Sequence, residues 1–283
     1  YDPSGIATYS QAGARYGFGL LWMAVFTFPF MAIVQEMCAR IGLVTGRGLA
    51  ANIRSNYSKS VLYVCTILLF IANTFNIGAD LGAMAAGVRL LAPRANFFLL
   101  IIGFALLSLL LQIFVRYTVY ARYLKYLTFT LFAYIITAFV IDTDWSTVLA
   151  HAVIPTLHWS REYLFLMCAV LGTTISPYLF FWQTGQEIQE EIAKGDTTIK
   201  ERQEDIHPRT IRAMRTDVWS GMFLSNLVMF FIIVTSAVAL SSHGITNIAS
   251  AADAATALKP FAGQWAFLLF TIGIIGTGLL AIP

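Results

Sequence analysis

The stretch DPSG at residues 2–5 sets an ionisable carboxylate, Asp2, beside a proline and a glycine inside an otherwise apolar run. Proline removes a backbone donor and glycine relaxes the helix, so the stretch should unwind a membrane span near its middle. Carbonyls and amides freed at that depth are tolerated only where they are buried in protein or line a wet cavity. A carboxylate there is costly and marks a functional site. A bound cation would satisfy the charge and the freed carbonyls together. The stretch GTTISPY at residues 172–178 repeats the arrangement, with Gly172 and Pro177 bracketing three hydroxyl residues. Interrupted helices at matching places in two halves of a chain point to a transporter's midplane site. A proline can also simply kink a membrane helix; the Asp2 carboxylate favours the ion.

The elements that must position these residues follow from composition. Apolar residues make up 58% of the 283 and charged residues 12%, with a mean hydropathy of +0.72, which excludes an ordinary soluble domain. A net charge of +3, spread rather than clustered, excludes a nucleic-acid partner and leaves the lipid bilayer. A hydrocarbon core of about 30 Å needs about 20 apolar residues per helix. That ruler gives spans at 17–43, 60–91, 96–115, 117–142, 162–192, 214–241 and 261–283, with residues 5–14 as half a span. The chain opens without a methionine and stops in an apolar stretch, so both ends are read as cut. It is treated as one transmembrane domain over residues 1–283, with a first repeat at 1–142 and part of a second at 162–283.

Lysine and arginine alternate in density from loop to loop. Thirteen lie in one set of loops, around 40–59, 116–125 and 194–215, and five in the other: Arg15, Arg89, Arg94, Arg161 and Lys259. The positive-inside rule then places loops 44–59 and 193–212 on the cytoplasmic side of a bacterial-type plasma membrane. The polar connection 193–212 is expected to be solvated, without a fold of its own. Cys38, Cys65 and Cys168 stand apart in apolar runs and are expected to be small buried side chains.

Further polar residues sit inside spans. Asn73, Asn76 and Asp80, spaced by four and seven, share one helical face; they suit either a permeation lining or hydrogen bonds between helices. Glu36 and Arg40 are spaced to pair. Glu187, Glu190 and Glu191 read as a solvated helix end, though Gln183, Gln186 and Glu187 keep a wet route open. Asp142, Asp144, His151 and His158 fit no zinc template and read as an outer loop. Asp217 and Asn226 lie nine residues apart, on opposing faces. No H-E-x-x-H, G-x-S-x-G or Cys/His couple supplies an activated nucleophile, so no enzyme is expected.

At these residues the sequence resembles the NRAMP family of divalent metal transporters. DPSGIATYSQAGARYGFGLLW, from Asp2, is similar to that family's DPGNIATDLQAGAQYGYSLLW, and ARIGLVTGRGLA, from Ala39, to its ARLGVVTGKDLA. The resemblance implies an all-α, leucine-transporter-like inverted-repeat fold, of which this chain is a fragment covering spans 1b to 8. It also implies an ion held between the unwound parts of spans 1 and 6, with no cofactor. Asp2 retains the family's metal-binding carboxylate. Gly5 stands where the family has a metal-binding asparagine, and Ser176 where it has a methionine thioether. Thr173 falls where a backbone carbonyl faces the ion. Tyr178 and Gln183 replace two histidines associated with proton movement, and Ala83 a second acid beyond the retained Asp80.

The substitutions push in one chemical direction. A thioether selects soft transition metals, whereas carboxylates, hydroxyls and carbonyls suit magnesium, calcium or manganese. Losing the asparagine leaves room for an ion that keeps its water, as Mg²⁺ does. The expected function is alternating-access transport of a divalent cation, Mg²⁺ first and Mn²⁺ second, as in the NRAMP-related magnesium branch. Loss of both histidines and one acid removes groups that relay protons, so transport is expected to be uncoupled from them. The rivals are a proton-coupled Mn²⁺/Fe²⁺ transporter of the NRAMP type, a sodium-coupled organic-solute carrier on the same fold, and a non-transporting ion sensor.

Overall fold

The computed structural model describes residues 2–115, 126, 129–204 and 207–283, and among these there is no strand. In chain order the helices are α1 (Pro3–Tyr16), α2 (Trp22–Thr45), α3 (Leu49–Asn56), α4 (Lys59–Leu91), α5 (Phe97–Phe114), α6 (Phe132–Val140), α7 (Trp145–Val153), α8 (Arg161–Thr174), α9 (Pro177–Lys194), α10 (Ile199–Glu204), α11 (Pro208–Ala239) and α12 (Ala251–Ala281). Among the described residues six helical stretches are long and apolar enough to cross a membrane: Trp22–Thr45, Lys59–Leu91, Phe97–Phe114, Arg161–Lys194, Pro208–His243 and Gly263–Ala281. The pair of helices around the 120° bend between Val140 and Trp145 would make a seventh. Phe70, Phe75, Phe98 and Phe114 are exposed on α4 and α5, a surface suited to lipid. The expected span 117–142 lies partly outside the described residues.

The chain divides into two compact units. One comprises Tyr1–Val25, Asn76–Thr173 and Ser225–Pro283; the other comprises Phe26–Phe75 and Thr174–Leu224. Each takes helices from both expected halves.

In the first unit α1 is a half-length helix, about 21 Å long at 1.5 Å per residue, and its bounds are written in its ends. Asp2 caps the start and Pro3 occupies the first turn, where no backbone donor is needed. Gly17, at φ 56°, closes the end with Arg15 in the last turn. Ile6 and Tyr9 are fully buried with Tyr134, Ile232, Ile233 and Phe270. The Tyr134 and Phe270 rings lie 4.4 Å apart, and Thr235 Oγ1 donates to the Tyr134 carbonyl at 2.9 Å. Tyr163 OH reaches the Gly19 carbonyl at 3.0 Å, fixing α8 against the turn that follows α1. α12 changes direction at Gly263, whose φ of 81° is open to glycine.

In the second unit α2 and α9 approach closely at Gly42, where a side chain would come within 2.7 Å of the Thr184 carbonyl. Thr184 Oγ1 lies 3.1 Å from the Cys38 carbonyl. Glu36 and Arg40 pair as their spacing predicts, and Glu36 also takes Arg215 at 3.3 Å and the Trp219 indole N–H at 2.6 Å. Phe28 packs edge-on against Trp219.

Three sequence expectations are corrected. The connection 193–212 folds: Arg202, 7% exposed, donates to the carbonyls of Asp196, Thr197 and Gly46, and Gln203 to that of Thr45. Its helix α10 starts on a Thr198/Glu201 capping box, and the Thr198 N–H and hydroxyl hold the Glu201 carboxyl below the usual range. Residues 145–153 are helix rather than loop, because Asp144 caps them through the Ser146 and Thr147 amides. Of the cysteines only Cys38 is buried; Cys65 is half-buried and Cys168 exposed.

A side chain at Gly13 would come within 2.8 Å of Ser236 Cβ and 2.9 Å of the Ala237 backbone nitrogen on α11. Backbone cannot yield as a side-chain end can. Gly13→Ala should cost about 1–3 kcal/mol, read as a fall in melting temperature of the detergent-solubilised protein. Gly48→Ala, into open space, should leave the melt unchanged.

Candidate cation-binding site

Asp2 is extended, at φ −95° and ψ 165°, so its side chain folds back over the first turn of α1. Its Oδ1 accepts from the Gly5 N–H at 2.7 Å, and its Oδ2 from Asn76 Nδ2 on α4 at 2.9 Å. Ser4 Oγ lies 2.9 Å from both Asp2 Oδ1 and Asn76 Oδ1, and its single proton serves one at a time. The Ser4 backbone N–H reaches Asp80 Oδ1 at 3.3 Å. Both acids are enclosed, Asp2 at 5% exposure and Asp80 at 1%.

The sequence fold of this corner is local. A helix start leaves backbone N–H groups without partners, and two carboxylates now take two of them. Pro3 approaches α12 because position 278 is glycine: a side chain there would lie 2.6 Å from the Met84 thioether and 3.3 Å from Pro3 Cγ. Donors and the helix terminus draw both carboxylates to this corner, while burial and mutual repulsion oppose their ionising together. A proton or a bound cation would relieve that conflict.

Of the expected lining, Asn76 and Asp80 therefore reach Asp2. Asn73, one turn earlier and half-buried, makes no side-chain hydrogen bond among the described residues. Ser4 and Gly5 are helical and Asp2 is extended, so the extended residue lies three positions ahead of the glycine, which is itself wound into the helix. Gly5 contributes its amide to Asp2.

The second stretch is also broken. α8 ends at Thr174 and α9 starts at Pro177, with Ser176 extended at φ −92° and ψ 127°. Thr173 is in the last turn of α8 and half-buried; Ser176 is buried, and Tyr178 half-buried in the first turn of α9. Gln183 is buried further along α9, where it takes the Gln35 Nε2 donor at 3.0 Å and gives its own to Glu187 at 2.7 Å. Glu191 is buried and paired with Lys194 at 2.7 Å, so the helix end is less solvated than its composition suggests. No group of three or more His, Cys, Asp or Glu side chains that could hold a metal occurs among the described residues, the Asp142–His158 segment included.

Sequence reasoning passed over Ser4 and Gln35. Ser4 lies inside DPSG, and its place in the first turn after a capping Asp is the signal that identifies it. Gln35 is a lone amide in an apolar span.

A set of apolar helices long enough to cross a membrane, with two buried acids meeting at a helix start, defines a polytopic membrane protein. The comparisons agree. The family model described as natural resistance-associated macrophage protein-like matches residues 1–283, and the chain belongs to that family, NRAMP. It is 28% identical over 290 residues to the divalent metal cation transporter MntH of Klebsiella pneumoniae, covering 98% of this chain and 65% of that protein. It is 26% identical to MntH of Aeromonas hydrophila, covering 98% and 66%. The fold matches the crystal structure of a manganese transporter of Eremococcus coleocola in complex with an aromatic bis-isothiourea substituted compound, with a TM-score of 0.73 at 20% identity, over 99% of this chain and 59% of that one. The chain thus spans about two thirds of the length of those curated relatives, and its all-helical fold is that of the NRAMP transporters, the leucine-transporter-like fold.

Asn76→Leu removes the donor to Asp2 Oδ2 and should cost about 1.5–3 kcal/mol of stability, the worth of a hydrogen bond to a charged group. Asn73→Leu should cost almost nothing. Equal melting shifts for the two would contradict the assignment.

Proposed function

We propose that this chain takes part in moving divalent metal cations across a membrane, with Asp2 as the charged ligand. The observation that carries the reading is the pair of enclosed carboxylates, Asp2 and Asp80, meeting at Ser4. Thr173 and Ser176 are assigned as oxygen ligands by the family resemblance, with Gly5 leaving room where the family has an amide. Asn76 and Asp80 line the ion's path, with Asn73, Tyr178 and Gln183.

The preferred ion is Mg²⁺, with Mn²⁺ second. Ser176 supplies a hard oxygen where the family has sulfur, and a site with few direct ligands suits an ion that keeps its water. Transport runs without protons. A membrane potential supplies about 2.3 kcal/mol per elementary charge for each 100 mV, and so draws a divalent ion inward unaided. The membrane is a plasma membrane with loops 44–59 and 193–212 cytoplasmic, supported by the thirteen-to-five division of basic residues. A sodium-coupled organic-solute carrier is disfavoured because Asp2 would repel a substrate carboxylate. The second reading is a proton-coupled manganese transporter. The description of the solved neighbours as manganese transporters and the retained Asp80 favour it.

In proteoliposomes of the full-length protein, Asp2→Ala should abolish divalent uptake, and Ser176→Met should shift preference from Mg²⁺ toward Mn²⁺ in a competition assay. Unchanged selectivity in the second variant would contradict the hard-ion argument. Uptake should leave a luminal pH dye unaltered; metal-driven acidification of the lumen would establish proton coupling instead.

A further inference from the structure

Gln35 lies on α2, 1% exposed, and heads a chain of side chains that runs through Gln183, one of the residues placed on the ion's path, to Glu187. Its Nε2 donates to Gln183 Oε1 at 3.0 Å and to the Leu179 carbonyl at 3.4 Å. Gln183 Nε2 then donates to the half-buried Glu187 carboxylate at 2.7 Å. An ionised carboxylate only accepts, so Glu187 sets the Gln183 amide with its NH₂ toward Glu187 and its carbonyl toward Gln35. That setting fixes Gln35 in turn, because a reversed amide would place its oxygen against two acceptors.

The consequence is at the far end. Gln35 Oε1 is buried and, among the described residues, accepts no hydrogen bond. A buried amide oxygen without a donor is costly and calls for a partner. The two amides are aligned head to tail, and the Glu187 charge behind them polarises both, making that oxygen more negative than an isolated amide's. The partner it suits is a strong donor carrying positive charge. A water molecule held by a divalent cation is one, and amide oxygens are ordinary company for Mg²⁺ and Ca²⁺.

We propose that Gln35 Oε1, backed by Gln183 and Glu187, is a second station for the transported divalent cation, bound through a water of its hydration shell. The inference rests on the transport reading above. Mg²⁺ uptake by the full-length protein in proteoliposomes tests it with Gln35→Leu, Glu187→Gln and the double variant. Each single variant should raise the half-saturating Mg²⁺ concentration about tenfold, and the double by little more than either, because both act through one chain. Glu187→Gln is isosteric and half-exposed, and keeps the test decisive if Gln35→Leu does not fold. Additive losses, or unchanged half-saturation with Asp2 still required, would overturn this station alone. Absence of Mg²⁺ uptake by the unsubstituted protein would instead overturn the transport reading and the station with it.

Discussion

Two carboxylates meeting at one serine set the terms for the first unit. Asp2 and Asp80 are both drawn to the start of α1 because that helix end offers backbone donors, and both are shut away from water. The donors hold the carboxylates in place, while burial and mutual repulsion oppose their ionising together. Desolvating an ion costs several kcal/mol even after relaxation, so such a pair is retained only where something repays it. A transported cation would repay it during part of each cycle. The surrounding architecture is consistent with that demand. Asp2 caps the start of α1, Pro3 is tolerated in its first turn, and glycines at 13 and 278 let α1 lie close against α11 and α12.

The second unit handles polarity differently. Its buried polar groups include hydroxyls, amides and one guanidinium, and its buried acids are matched: Glu36 with Arg40 and Arg215, Glu191 with Lys194. Arg202 spends its donors on carbonyls from the end of α2 and the turn before α10, which ties a connection that looked solvated into the body of the unit. Glu187 takes an amide donor from its own helix, Gln183, and so orients the Gln183–Gln35 chain.

The apolar ruler found α4 and α5 to within one residue at each end, since both are uniformly apolar and bounded by polar turns. It also found the break between α8 and α9 and the residues at the start of α1, because proline and an ionisable or hydroxyl residue in an apolar run are local signals. It missed α7 and α10 because their stability comes from caps, Asp144 and the Thr198/Glu201 box, rather than from apolar length. Asn76 and Asp80 were legible as one helical face, but not the partner they meet, since contact between residues 72 or more apart depends on packing. Family resemblance filled that gap in part. It named Asp2, yet said nothing of Ser4, whose bridging follows only from the first turn of α1 being wound where unwinding was expected.

The central claim is that the Asp2 carboxylate exists to meet a divalent cation. Crystals of the full-length protein soaked in Mn²⁺, with anomalous diffraction recorded at the manganese edge, address it most directly. The account predicts an anomalous peak within coordination distance of the Asp2 oxygens. A peak elsewhere with no density within coordination distance of Asp2, or a carboxylate turned to bulk solvent, would contradict it.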